Sequence, residues 1–282
     1  MRTGVRPAPR APGTRSSRAC PAGRGQRWRT VLAVFFWRHD VAPDRSSGAG
    51  LVCGFTSRAG GVSLPPYESL NLGGHVGDSA RSVEHNRAAL AGAVGLERDR
   101  LIFLNQAHGD RVVSVDGPWP GPAPEADAVV TSNHRLGLAV LVADCVPVLL
   151  ADTRSGVIGA VHAGRAGLVL GVVGRAVERM REIGASSISA VVGPSVCGRC
   201  YEVPERMRDE AAVVSPVSRT VSWSGTPAID IAAGVVDQLH ANHVPVQWVP
   251  GCTRESPELF SHRESPGTGR FAGVVRLTGP CG

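Results

Sequence analysis

The chain contains no lysine: all 30 of its Lys+Arg positions are arginine, the mark of a strongly biased coding composition. No apolar run comes near the ~20 residues that a bilayer span needs, so no membrane partner is expected. No period of 20 to 50 residues repeats, which excludes a solenoid or propeller. The seven cysteines, an odd number spread over 282 residues, give no disulfide framework and point to a reducing, cytoplasmic setting. The nine histidines include no His-x-His, so the closely spaced imidazoles that multinuclear copper commonly uses are missing.

Positive charge is missing from most of the chain as well. Residues 1–50 carry ten Arg against Asp40 and Asp44, a surplus of eight, so a total of +6 leaves −2 for the remainder. No nucleic-acid surface is expected on the fold itself, which would need clustered basic residues. The division of the chain follows this charge. Residues 1–48, rich in Arg, Pro, Gly and Ser, are read as a largely disordered tail, with a true start further downstream as the alternative. Residues 49–282 are read as one domain. Within the tail, Val31-Leu32-Ala33-Val34-Phe35-Phe36-Trp37 meets Arg38, His39 and Asp40 instead of a small-residue cleavage site, which favours a strand joining the domain's sheet over a signal peptide.

Three short stretches hold chemistry: Asn105-Gln106-Ala107-His108-Gly109, Ala143-Asp144-Cys145-Val146-Pro147 and Val161-His162-Ala163-Gly164. Each follows an apolar run read as a buried strand: Leu101–Leu104, Leu138–Val142 and Val157–Val161. Pro147 is expected to interrupt the ladder before Val148-Leu149-Leu150. Three strand ends thus present His108, Cys145 and His162, two imidazoles and a thiolate. That set suits zinc better than copper, and three protein ligands leave a fourth position for water or substrate. Arg81–Val94, Leu168–Ile183 and Ile231–Leu239 have helical spacing, and Gly95 and Gly184 stop the first two. Strands are expected at 188–192, 246–249 and 271–277. The alternation gives a mixed α and β protein but does not separate a sandwich from a doubly wound sheet.

With these blocks go Phe55-Thr56-Ser57-Arg58-Ala59-Gly60-Gly61-Val62-Ser63, Ser69-Leu70-Asn71-Leu72-Gly73, Glu125-Ala126-Asp127-Ala128-Val129-Val130-Thr131, Val192-Gly193-Pro194, Cys200-Tyr201-Glu202-Val203, Phe260-Ser261-His262-Arg263 and Thr268-Gly269-Arg270. In this order, over about residues 54–277, the chain resembles the YfiH or laccase-domain family. Its members are described as multicopper polyphenol oxidoreductases, purine nucleoside phosphorylases and peptidoglycan editing factors. The resemblance implies an α+β fold, a single-domain sandwich of mixed β-sheets flanked by helices, with zinc on His108, Cys145 and His162. It implies a nucleoside and phosphate as small-molecule partners, and leaves a homodimer open. One block departs: where the family commonly reads His-Ala-Gly-Trp-Arg-Gly, this chain has Arg165 at the Trp position and Ala166 at the Arg position.

The residues around the ligands suggest roles. Asp144 could move protons or orient a bound water, or cap its turn, and Gln106 could hydrogen-bond substrate or its own loop. Arg58 beside Ser57 on a Gly-Gly loop, and Arg263 with Arg270, are candidate anion clamps, since a guanidinium grips phosphate bidentately. Arg165 could restore the guanidinium of the altered block, and Asn71 and His75 are candidate pocket residues. Cys197-Gly198-Arg199-Cys200 reads as two ordinary thiols beside a turn, and Cys20, Cys53, Cys252 and Cys281 as incidental. The leading expectation is a zinc enzyme that cleaves purine nucleosides with phosphate and also deaminates adenosine. A cysteine hydrolase with Cys145 as nucleophile, including a peptidoglycan-precursor editing role, is the alternative, although no residue that would orient its histidine is evident. A polyphenol oxidase is disfavoured for want of copper ligands. A non-enzymatic zinc-stapled protein ranks last, because a core of this size needs no staple.

Overall fold

The computed structural model describes residues 34–43 and 49–279, together with Met1. Its strands are β1 Phe35–Val41, β2 Gly50–Thr56, β3 Leu101–Phe103, β4 Val112–Ser114, β5 Ala128–Thr131, β6 Gly137–Val142, β7 Val146–Asp152, β8 Val157–Ala163, β9 Ser189–Val192, β10 Arg219–Val221, β11 Pro227–Ile229, β12 Val246–Trp248 and β13 Phe271–Thr278. The helices are α1 Ala80–Ala93, α2 Arg165–Leu170, α3 Val172–Glu182, α4 Glu205–Val214 and α5 Ile231–Ala241. None of the described helices is long and apolar enough to cross a membrane.

Two mixed sheets stack face to face. One runs β1-β2-β13-β6-β3, the other β12-β9-β7-β8-β5-β4, and β10-β11 form a separate hairpin. Within the two large sheets only β3/β6, β4/β5 and β9/β12 pair in parallel. Phe55, Leu138, Val140 and Val275 of the first sheet meet Val129, Leu149, Ile158 and Ala160 of the second in one buried layer. The outer face of the first sheet is covered by α1 through Leu90, Ala91 and Val94, and that of the second by α3 and α5. Because β6, β7 and β8 are covered on both faces, every residue in them is buried and they read as continuous apolar runs without alternation. The fold is therefore the mixed α+β sandwich flanked by helices that the motifs imply.

Local chemistry sets the helix limits. Ser79 caps α1 by accepting from the Ser82 N–H, and Asp230 caps α5 through Ala233 N. α3 buries Val172, Val173, Ala176, Val177 and Met180, a stripe at the i, i+3, i+4 spacing of a helix that packs on a sheet.

Three expectations need correction. The helix expected over Leu168–Ile183 is two helices, because Gly171 takes a left-handed conformation, φ +80°, that ends α2 and turns the chain into α3. Pro147 does not interrupt a strand: it lies in β7 opposite His162, and its carbonyl still accepts from Gly193 N. A proline near the start of a strand forfeits a single donor. Finally, β1 lies inside the stretch read as tail and pairs antiparallel with β2, so the sheet begins upstream of residue 49. That bears out the strand expected around Phe35-Phe36-Trp37, while Val31–Ala33 lie outside the described residues. α4 had no counterpart in the sequence reading. It has no side-chain N-cap and buries only Arg208 and Ala211, so its apolar stripe is faint.

Candidate metal centre

The chain crosses from one sheet to the other between β6 and β7, and Cys145 sits in that crossover. Asp144, just before it, has φ +90°, a conformation disfavoured for any residue with a Cβ. Its carboxylate holds the turn in place. Oδ1 accepts from Thr253 Oγ1 and Ser261 Oγ, both at 2.6 Å, and Oδ2 from Arg263 N at 2.7 Å. Of the two roles open to Asp144, the structure displays the turn-holding one: it ties the C-terminal loop to the crossover.

His162 is the penultimate residue of β8 and His108 lies in the loop after β3. The structure brings both to Cys145: one donor atom from each of the three residues falls within 4.8 Å of the other two. The two imidazoles meet edge to face, ring centres 4.7 Å apart. His108 has φ +60°, a second strained position at the same spot.

Asp127 organises the group, and the sequence reading gave it no role. It precedes β5, whose antiparallel register with β8 pairs Ala128 with Val161 and so sets Asp127 beside His162. Its Oδ1 accepts from His162 Nδ1 at 2.8 Å and from His108 N at 2.9 Å, and its Oδ2 from Gly109 N at 2.7 Å and Ala107 N at 3.3 Å. One buried carboxylate thus holds the His108 loop and fixes the His162 tautomer, leaving Nε2 for a ligand. Burial raises the pKa of such a carboxyl, but the His162 and backbone N–H bonds outweigh it and hold Asp127 below the usual range. Burial also pushes the Cys145 thiol up, yet the neighbouring His162 and His108 bring it down to about 6. His162 is pulled down by burial and carried up to about 9 by the Cys145 and Asp127 charges. Before any metal binds, Cys145 and His162 therefore favour a thiolate beside an imidazolium, an ion pair whose imidazolium proton a divalent metal would displace.

Gly164, from the His-Ala-Gly block, is required by space. A Cβ there would lie 2.9 Å from His108 Cδ2 and 3.2 Å from Cys145 Sγ. Gly164→Ala is expected to push these ligands apart and lower metal affinity by ~10- to 100-fold while the fold survives, as a chelator competition titration would show.

A cavity of about 500 Å³ opens over the three donors. Of the residues singled out in the sequence, His75, Gln106, Asp144, Arg165, Arg263 and Arg270 line it. Arg165, at the start of α2, lines it beside Ala166, with its guanidinium 3.9 Å from the Glu210 carboxylate. Gln106 lines the wall while its side-chain amide pairs with the backbone of Leu141 in both directions, each at 2.7 Å. His75 is pushed down by burial and then by Arg270 and Arg87, which keeps its imidazole neutral. Arg58, Ser57 and Asn71 are not brought to this cavity. Arg58 donates to Glu68 O, lies over the Phe260 ring and lines a different hollow. Ser57 Oγ accepts from Ala59 N, and Asn71 is buried, its Oδ1 accepting from Gly73 N and Arg270 N. Tyr201 and His262 also line it, and sequence alone does not single them out although both stand in the motif blocks; Arg263 lies over the Tyr201 ring at 4.5 Å.

Two imidazoles and a thiol facing one point, one imidazole backed by a carboxylate, define a Cys/His group that could hold a metal ion at the wall of an arginine-lined cavity. The chain belongs to the family described as multi-copper polyphenol oxidoreductase laccase, which matches residues 52–278. It is 53% identical over 237 residues to a Streptomyces coelicolor protein named purine nucleoside phosphorylase, covering 83% of this chain and 98% of that one. A protein of the same name from Mycobacterium tuberculosis is 52% identical over 223 residues, covering 78% of this chain and 89% of its own. Among solved structures, the YfiH protein of Bacillus licheniformis superposes with a TM-score of 0.76 at 30% identity, covering 81% of this chain and 93% of its own. YlmD of Geobacillus stearothermophilus gives 0.74 at 30% identity, covering 84% and 99%.

Proposed function

We propose that this protein is a zinc-dependent phosphorylase of purine nucleosides, accepting adenosine, inosine, guanosine or methylthioadenosine, and that it also deaminates adenosine. The observation that carries the reading is the convergence of His108, Cys145 and His162 on a cavity that Arg165, Arg263 and Arg270 also line. The relatives named for phosphorolysis support it. Two borderline nitrogens and one soft sulfur suit zinc, with a fourth position left for water or substrate. A zinc ion held there supplies Lewis acidity and can lower the pKa of a bound water to about 7. The arginines bind and orient phosphate, whose oxygen attacks the ribose C1′ as the bond to the purine nitrogen breaks. The products are the sugar 1-phosphate, which is ribose 1-phosphate or, from methylthioadenosine, its 5-methylthio analogue, and the free base, which leaves with a proton. Deamination consumes water and releases ammonia, turning adenosine into inosine.

Zinc-loaded protein with phosphate should release adenine from adenosine with an equal amount of ribose 1-phosphate, and inosine alongside. If no free base appears from any of the four nucleosides, the phosphorylase reading is wrong.

One observation favours a second reading. Asp127 behind His162 supplies the orienting residue that a cysteine hydrolase would need, giving Cys145, His162 and Asp127 in series. In metal-free protein a nucleophilic Cys145 should alkylate with iodoacetamide with a midpoint near pH 6, since the thiolate persists down to about that value. Ester or amide hydrolysis surviving complete removal of zinc would favour this reading; stoichiometric zinc retained after desalting, with Cys145 shielded, would exclude it.

A further inference from the structure

The structure gathers a second group of ligand-type side chains apart from the first. Cys197 and Cys200, the only Cys-x-x-Cys of the chain, meet Cys252 and Glu255, and one donor atom from each of the four lies within 4.8 Å of all the others. In sequence alone the pair reads as ordinary thiols and Cys252 as incidental. They lie on two loops that run side by side. Ser195 bridges Cys252 in parallel, Ser195 N donates to Gly251 O, and Thr253 N donates to Ser195 O. The Cys197–Cys200 turn is closed by Cys200 N and Tyr201 N donating to Cys197 O. The Cys252–Glu255 turn is closed by Glu255 N donating to Cys252 O. Two tight turns, each offering two donors to the same point, form the scaffold on which closed four-ligand metal sites are built.

Further details describe how the group is held. The Cys197 N–H donates to Cys252 Sγ at 3.5 Å, a bond that supports a sulfur carrying negative charge. Without an ion, the Cys200 thiol donates to Glu255 Oε1 at 3.2 Å, and it is this contact between two donors that a bound ion would replace. Gly198 allows the turn to pack down: a Cβ there would come within 2.8 Å of Asp230 Cβ and 2.9 Å of Thr220 Cγ2. No cystine is formed among these residues.

We propose that Cys197, Cys200, Cys252 and Glu255 form a second, structural zinc site. Three thiolates select a soft or borderline ion, four donors from the protein close a tetrahedron, and no position is left for substrate. Its place gives it a purpose. Cys200 adjoins Tyr201 in the wall of the cavity, and Cys252 adjoins Thr253, whose hydroxyl holds Asp144 in the crossover. Val196 N, one residue before Cys197, donates to Asp144 O at 2.9 Å. An ion here pins together two loops that support the first metal centre without touching its ligands.

Zinc analysis on the full chain tests this, and it does not depend on phosphorolysis. Protein purified under a reductant that does not bind zinc, loaded and desalted, should hold about two zinc ions per chain, a Cys145→Ser variant about one, and a Cys197→Ser/Cys252→Ser variant about one. Cobalt bound to Cys145→Ser should show the intense near-ultraviolet thiolate-to-cobalt absorption of a tetrahedral multi-thiolate site. In the unaltered protein, peptide mapping should find Cys197, Cys200 and Cys252 shielded from iodoacetamide at least ~10-fold until a strong chelator is added. The proposal is overturned if the unaltered protein holds one zinc that Cys145→Ser abolishes. Equal alkylation of the three cysteines with and without chelator also overturns it, a measurement that requires no variant to fold.

Discussion

Cys145→Ala should leave a folded protein that no longer binds the zinc of its first centre and no longer releases base from nucleosides. The side chain is small and partly exposed, so its packing contribution is minor, at most ~2 kcal/mol. Its chemical contribution is large. It is the single thiolate of the set, and the two imidazoles that remain give an incomplete site for a borderline ion. We expect affinity at this centre to fall more than ~100-fold and kcat/KM by ~1,000-fold or more. The measurements are zinc content after desalting, a urea melt to show the fold is intact, and adenine release. A variant that loses zinc yet keeps full activity would separate the metal from the reaction, and one that keeps zinc but loses activity would move Cys145 from ligand to nucleophile. In the metal-free protein the same residue is a thiolate above about pH 6, but His162 keeps its proton up to about pH 9 and must release it to ligate, so zinc affinity should rise with pH from 7 to 9 and weaken further as pH falls below 6.

Asp127→Ala is expected to cost more stability than any single ligand substitution. The carboxylate accepts from the N–H groups of Ala107, His108 and Gly109 and from His162 Nδ1, and it is 1% exposed. Removing it leaves these donors without a partner in a place water reaches poorly, each at ~1–3 kcal/mol, so a loss of about 3–5 kcal/mol follows after partial relaxation. His162 loses the bond that fixes its tautomer, and zinc affinity should fall a further ~10- to 100-fold. Asp127→Asn separates the two effects. Its carbonyl can still accept loop N–H groups, so urea unfolding should show a smaller loss of stability, while metal affinity should fall almost as far because the charge behind His162 is gone. Equal stability in Asp127→Ala and the unaltered protein would mean that the loop does not depend on this carboxylate.

His108, Cys145 and His162 were legible as a candidate ligand set because each follows a short apolar run, and such runs become buried strands whatever their partners. The order of the blocks gave the family for the same local reason. Asp127 was not legible. In sequence it is one acid among many, and only the antiparallel pairing of β5 with β8 sets it beside a histidine 35 residues away. Arg58 misled in the opposite sense: its glycine-rich neighbourhood suits an anion, but its side chain is held over Phe260 and against Glu68. The Cys197, Cys200, Cys252 and Glu255 group combines both lessons, because its two halves are about fifty residues apart and neither half alone distinguishes a ligand pair from ordinary thiols.

Residue type and short spacing sufficed for the buried strands, the limits of α1 and α5, the three candidate ligands of the first centre and the family. The tertiary structure decided which polar groups those elements share. Hydrogen-bond partners and metal ligands need positions accurate to a fraction of an ångström, and for residues far apart in the chain only sheet register and loop packing fix such positions.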